Sequence, residues 1–159
     1  SYKGVRRRFD IKGIYNDVII VDDYAHHPTE VEATLRSAKS GWDRRIIAVF
    51  QPHLFSRTRE FFREFADVLQ VANIVIITDI YPAREKPMPG VTSKLIYDEL
   101  ENKNNNCYLV PDIDDLAERL DQVIQPGDML ITMGAGNIWR YNESYVKHIQ
   151  SLTNGVGNC

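Results

Sequence analysis

Val18-Ile19-Ile20-Val21-Asp22-Asp23-Tyr24-Ala25-His26-His27-Pro28 is the stretch that decides the fold. Its four β-branched residues read as a buried strand, bounded at the far end by a proline and a helix start. The strand stops on two carboxylates followed by two imidazoles, groups that are seldom buried without a partner. In open parallel sheets ligands bind outside the carboxyl ends of the strands, so chemistry is expected here.

Further apolar runs at 44–50, 73–78, 107–110 and 129–133 alternate with helical patterns, which is the order of a parallel α/β sheet. One helical stripe is Phe61, Phe62, Phe65, Val68, Leu69 and Ala72; another is Ile113, Leu116, Ala117, Leu120, Val123 and Ile124. Both are core-facing surfaces and carry no functional assignment. Residues 8–12 alternate polar with apolar, and Tyr15-Asn16-Asp17 is too short for a crossover helix, so this segment should pair antiparallel with 18–21. The prediction is a Rossmann-like, mostly parallel sheet of about six strands with an antiparallel N-terminal edge strand and helices on both faces. A last helix is expected from 137 to 150, carrying Ile138, Tyr141, Tyr145 and Ile149 on one side. Residues 1–152 then form one domain, with 153–159 as a flexible tail.

The chain has 159 residues, 43% hydrophobic and 26% charged, which suits one globular core. The net charge of -3 comes from interspersed acids and bases, and the basic cluster Arg6-Arg7-Arg8 is short, so neither nucleic acid nor a membrane surface is the expected partner. Cys107 and Cys159 lack metal-ligand spacing, and no metal site is predicted. Without a signal-peptide pattern or a long apolar run, the expected compartment is the cytoplasm.

The polar residues collect on one rim. Strand ends lead into Asp22-Asp23-Tyr24-Ala25-His26-His27, Gln51-Pro52-His53-Leu54-Phe55-Ser56-Arg57-Thr58-Arg59, Asp79-Ile80-Tyr81-Pro82-Ala83-Arg84 and Gly134-Ala135-Gly136-Asn137. Helix capping would account for one of the two aspartates. For Asp23 a ligand role is favoured, such as accepting hydrogen bonds from ribose hydroxyls. His26, next to a second imidazole and placed before Pro28 on the rim, is assigned to substrate contact. Arg57 and Arg59 in a helix's first turns oppose its dipole unless an anion offsets them, so 51–58 reads as an anion site with Arg57 as the clamp. Gly134-Ala135-Gly136 is a weak dinucleotide fingerprint, since it follows the last strand and Trp139 stands at the third glycine; a tight turn capped by Asn137 is the plainer account.

Three classes fail on residues. A phosphoacceptor receiver domain needs an aspartate at the end of the next strand but one and a lysine at the end of the last; here the strands end Phe50-Gln51-Pro52, Thr78-Asp79 and Met133-Gly134, with no lysine, and the spacing fails. A simple NAD-binding domain lacks its glycines, and a Ser-His-Asp hydrolase lacks its Gly-x-Ser-x-Gly elbow.

All the rim loops are satisfied by one family. The chain resembles the C-terminal domain of the Mur ligases in Gly4-Val5-Arg6-Arg7-Arg8-Phe9, the blocks 22–30 and 50–59, the loop 81–90 and Thr132-Met133-Gly134-Ala135-Gly136-Asn137-Ile138. Within the family the resemblance is strongest to the branch that adds L-alanine to UDP-N-acetylmuramate. The branch that recycles murein tripeptides shares the Asp-Tyr/Phe-Ala-His-His-Pro block and is the alternative, with a non-catalytic nucleotide-binding module as the other.

The resemblance implies an enzyme that uses ATP and magnesium to turn a carboxylate into an acyl phosphate, which an amino acid's amine attacks. N-terminal and central domains of the same polypeptide would bind the UDP-sugar, the phosphates and the metal. No Gly-x-x-x-x-Gly-Lys-[Ser/Thr] motif is present here, so the chain is expected to be a piece of that enzyme and inactive alone. By the same resemblance Asp23 contacts ribose, Tyr24 and His26 line the place of the alanine side chain, and His53 and Arg57 orient its carboxylate. His26 or His53 would assist deprotonation of the amine. Leu54 departs from the arginine of many relatives, which leaves the carboxylate clamp to Arg57 alone or with Arg59.

Overall fold

The computed structural model describes residues 8–103 and 106–157; Gly4, Val5, Arg6, Arg7 and Cys159 of the readings above lie outside them. Six strands form one sheet: β1 (Asp10–Tyr15), β2 (Val18–Asp23), β3 (Ile46–Phe50), β4 (Ile74–Thr78), β5 (Cys107–Val110) and β6 (Met129–Met133), in the spatial order β1-β2-β6-β3-β4-β5. Only β1 runs antiparallel, against β2; the other pairings are parallel. The hairpin turn is Asn16-Asp17, both at positive φ (52° and 57°), the backbone that a two-residue hairpin connection requires.

The helices are α1 (Pro28–Gly41), α2 (Phe55–Leu69), α3 (Lys94–Glu101), α4 (Leu116–Val123) and α5 (Ile138–Gly157), with a 3₁₀ turn at Ile113–Asp115. Strand alternation sorts them by face. Ile19, Val21, Ala48, Phe50, Val75 and Ile77 pack with Val31 and Leu35 of α1, Phe65 and Leu69 of α2, and Ile96 and Leu100 of α3. Val18, Ile20, Ile47, Val49 and Ile76 pack with Leu116 and Leu120 of α4 and with Ile138, Tyr145 and Ile149 of α5.

Boundaries differ from the sequence expectation for identifiable reasons. The edge strand starts at Asp10 and not at residue 8, and its register shifts between Ile11 and Gly13, which breaks the alternation and leaves Ile11 and Ile14 exposed. β3 begins at Ile46 because Arg44 and Arg45 turn aside to Asp17 and Asp128. Helix α3, eight residues long, is not among the stripes named from the sequence. Helix α5 continues past 150 to Gly157, into the stretch 153–159 read as a tail. No helix among the described residues is long and apolar enough to cross a membrane.

Because β6 inserts between β2 and β3, the loops after β2, β3 and β6 converge at one end of the sheet, and β4 adds its own beside them. An isolated bridge joins His53 to Tyr81 across two of these loops.

Candidate functional site

The loop after β2 is built around two carboxylates that hold backbone N–H groups. Glu30, in the first turn of α1, accepts from the N–H groups of His26 and His27, both at 3.1 Å. Burial works against its ionisation, but those two bonds, His26 and Arg8 outweigh it and hold the carboxyl below its ordinary value. Neither Asp22 nor Asp23 caps the helix, so the capping account is replaced: the N-cap is His27. Asp22 is fully buried and accepts from the Thr132 hydroxyl at 2.8 Å. Asp23, 5% exposed, accepts from the N–H groups of Ala25 and Phe9 (2.8 Å each) and from the Thr34 hydroxyl (3.0 Å). Three of a carboxylate's roughly four acceptor positions are therefore taken by the fold.

The two histidines of the site have opposite polarity. His26 donates from Nδ1 to the Tyr24 carbonyl at 2.9 Å, with Glu30 3.4 Å from the same nitrogen. In the neutral ring this leaves Nε2 as an acceptor. His53 is the reverse. Arg57 Nη1 lies 3.0 Å from its Nδ1, and a guanidinium has only donors, so Nδ1 accepts and the proton sits on Nε2. Burial, then Arg57 and His26, push the His53 imidazole below its ordinary value, with Glu85 opposing, so it is neutral at pH 7. His53 in this arrangement offers a hydrogen-bond donor and not a base. The rings of His26 and His53 are 6.1 Å apart, and Tyr24 meets His26 edge-on at 5.1 Å.

Arg57 folds back over the start of α2, donating also to the His53 carbonyl at 3.2 Å. Arg59 is exposed, so any carboxylate clamp rests on Arg57. The anion expected at this helix start is already supplied within the chain: Glu85 accepts from the Ser56 N–H at 3.0 Å and from the Ser56 hydroxyl. Tyr81 stacks on His53 at 5.9 Å and 13°. Neither Tyr81 nor Glu85 was singled out as a site residue from sequence. The one signal for Glu85 was the missing acid in the first turn of α2.

Gly134 and Gly136 serve packing. A Cβ on Gly136 would lie 2.5 Å from Tyr81 Cγ and 2.7 Å from Gln51 Oε1. Asn137 does not cap α5 with its side chain: Gln51 accepts from the Ile138 N–H at 3.1 Å, and its amide donates to Asn137 Oδ1 at 2.7 Å.

Phosphates and magnesium fit poorly here. At the starts of α1, α2 and α5, Glu30, Glu85 and Gln51 already accept from backbone N–H groups that an oxyanion would otherwise use. Among the described residues no group of three His, Cys, Asp or Glu side chains is placed to hold a metal. What the rim does offer is the Arg57 cation, the ring N–H of His53 and the Nε2 of His26 grouped beside two aromatic rings.

Residues 7–136 match the family model described as "Mur ligase, glutamate ligase domain". A UDP-N-acetylmuramate–L-alanine ligase of Cutibacterium acnes is 50% identical over 140 residues, 87% of this chain and 30% of that protein. The enzyme of the same name from Geotalea uraniireducens is 44% identical over 94% of this chain and 33% of its own length. The chain thus spans about a third of these relatives. A murein peptide ligase structure from Psychrobacter arcticus shares the fold, with a TM-score of 0.72 at 22% identity over 91% of this chain and 30% of that one. The chain belongs to the Mur ligase family, as its C-terminal, glutamate ligase domain.

Proposed function

We propose that this rim is the amino-acid-binding part of an ATP-dependent ligase that joins L-alanine to UDP-N-acetylmuramate. The observation that carries the proposal is the opposed polarity of His26 and His53 beside Arg57. An amino acid has a carboxylate and an amine, and this group has a matching partner for each. Arg57 and the Nε2–H of His53 hold the carboxylate, a charge-assisted pairing that fixes orientation. Tyr24 and His26 flank the small side chain, and His26 Nε2 takes the proton that the amine must lose before it attacks. Glu30, close to the other nitrogen of His26, keeps that ring turned. His53 acts by orientation, not as a second base.

Activation of the UDP-N-acetylmuramate carboxylate with ATP and magnesium belongs to N-terminal and central domains in the rest of the protein. Asp23 keeps one acceptor position for a ribose hydroxyl, while its three internal bonds make it first an anchor of the fold. The chain by itself then forms no amide.

L-alanine is preferred over a murein tripeptide because relatives at 44 and 50% identity carry the alanine ligase name. The discriminating experiment is phosphate release by the full-length protein with UDP-N-acetylmuramate and either L-alanine or L-alanyl-γ-D-glutamyl-diaminopimelate. Turnover with L-alanine is expected. Turnover with the tripeptide alone would replace this reading with the recycling activity.

A further inference from the structure

The start of α2 needs a negative charge that its own sequence does not supply. Leu54 sits at the N-cap with a side chain that cannot accept a hydrogen bond, no acid falls in the first turn, and Arg57 points the wrong charge at the helix dipole. Glu85 delivers the charge from the loop after β4, binding both the N–H and the hydroxyl of Ser56. The same two loops are stitched by Leu54 N–H to the Tyr81 carbonyl (2.9 Å) and Tyr81 N–H to the Pro52 carbonyl (2.8 Å). Each side of this latch holds a non-glycine residue at positive φ, Leu54 at 76° and Ala83 at 53°. Such backbone persists only where its surroundings over-determine it, and it concentrates at functional sites.

We propose that Glu85 is a positioning residue of the amino-acid site: it fills the anion position at the start of α2, so that a substrate carboxylate is directed to Arg57 and His53. The inference rests on the amino-acid-site reading. Without Glu85 the Ser56 N–H and hydroxyl become a second pair of donors for a carboxylate, on the residue next to Arg57, and substrate is held where its amine is misplaced. The Ser56 and Arg57 interactions also hold the Glu85 carboxyl below its ordinary range, so the latch is charged at neutral pH.

The test uses the full-length protein. Glu85→Ala should lower kcat with L-alanine by about tenfold or more while leaving the KM for ATP within about twofold. Added formate, a carboxylate small enough for the vacated position, should restore part of that kcat. Glu85→Gln, which keeps hydrogen-bond acceptance without charge, should lose less and serves where the alanine variant folds poorly. A loss that ATP shares equally and formate does not restore would overturn the proposal, as would an unchanged kcat. Selective 13C labelling of histidine gives an independent readout: the His53 titration should move to lower pH in both variants, because Glu85 supports its protonated form. If the unmodified protein does not use L-alanine, the amino-acid reading falls, and the His53 titration still decides whether Glu85 governs that ring; an unmoved midpoint overturns it.

Discussion

Asp23→Asn should destabilise the domain whether or not nucleotide is present. The carboxylate is 5% exposed, with Ala25 N–H on one oxygen and Phe9 N–H and the Thr34 hydroxyl on the other. An amide brings one oxygen and one NH₂, so whichever way it is turned, one backbone N–H faces a donor. The Thr34 hydroxyl can rotate to accept; an N–H cannot. One buried unsatisfied donor plus conversion of the surviving bonds from charge-assisted to neutral amounts to about 2–4 kcal/mol. Trp42 stacks on Phe9 with ring centroids 5.2 Å apart, so its fluorescence reports on this junction. Urea unfolding followed at Trp42, with Trp139→Phe as the background, should show a lower midpoint for Asp23→Asn. Stability within about 0.5 kcal/mol of the parent, together with a raised KM for ATP, would refute the anchoring argument and return Asp23 to a ligand role.

Two further outcomes follow from the same geometry. Gly136→Ala should cost about 1–3 kcal/mol by overpacking, since the added methyl meets the Tyr81 ring and Gln51, and it should raise the KM for L-alanine by tilting Tyr81 off His53; thermal melts and steady-state kinetics check both. Stability should also depend on pH in two steps. The unfolded chain takes up protons before the folded one at His53, held below 6.5, and at Glu30 and Glu85, held below 4.5. Stability is therefore expected to be full above these values, to fall as pH drops through and below about 6.5, and to fall again below about 4.5. Glu30→Gln should remove part of the second step, and urea midpoints measured between pH 7.5 and 4 test the profile.

The sheet was legible because its strands are short apolar runs whose polar ends share one side, and the rim residues Tyr24, His26, His53 and Arg57 did come together there. The details that escaped the sequence are long-range. Glu85 caps a helix 29 positions away and Gln51 caps one 87 away, and no local pattern announces a cap borrowed from another loop. The missing acid at α2 did signal that an anion was needed, but an external ligand and an internal carboxylate satisfy the same electrostatics. Asp23 was read toward ligand for a similar reason. Its partners Phe9 and Thr34 lie on β1's approach and on α1, and only the folded register brings them to it. The donor and acceptor roles of the two histidines likewise depend on Arg57 and the Tyr24 carbonyl.

The central claim is that Arg57 holds the carboxylate of the incoming amino acid, and Arg57→Ala in the full-length protein tests it most directly. Loss of one charge-assisted hydrogen bond is worth about 1.5–3 kcal/mol, so the KM for L-alanine should rise roughly 10- to 150-fold while that for ATP stays within about twofold. Equal increases for both substrates, or no increase for L-alanine, would contradict the account and reduce Arg57 to a partner of His53.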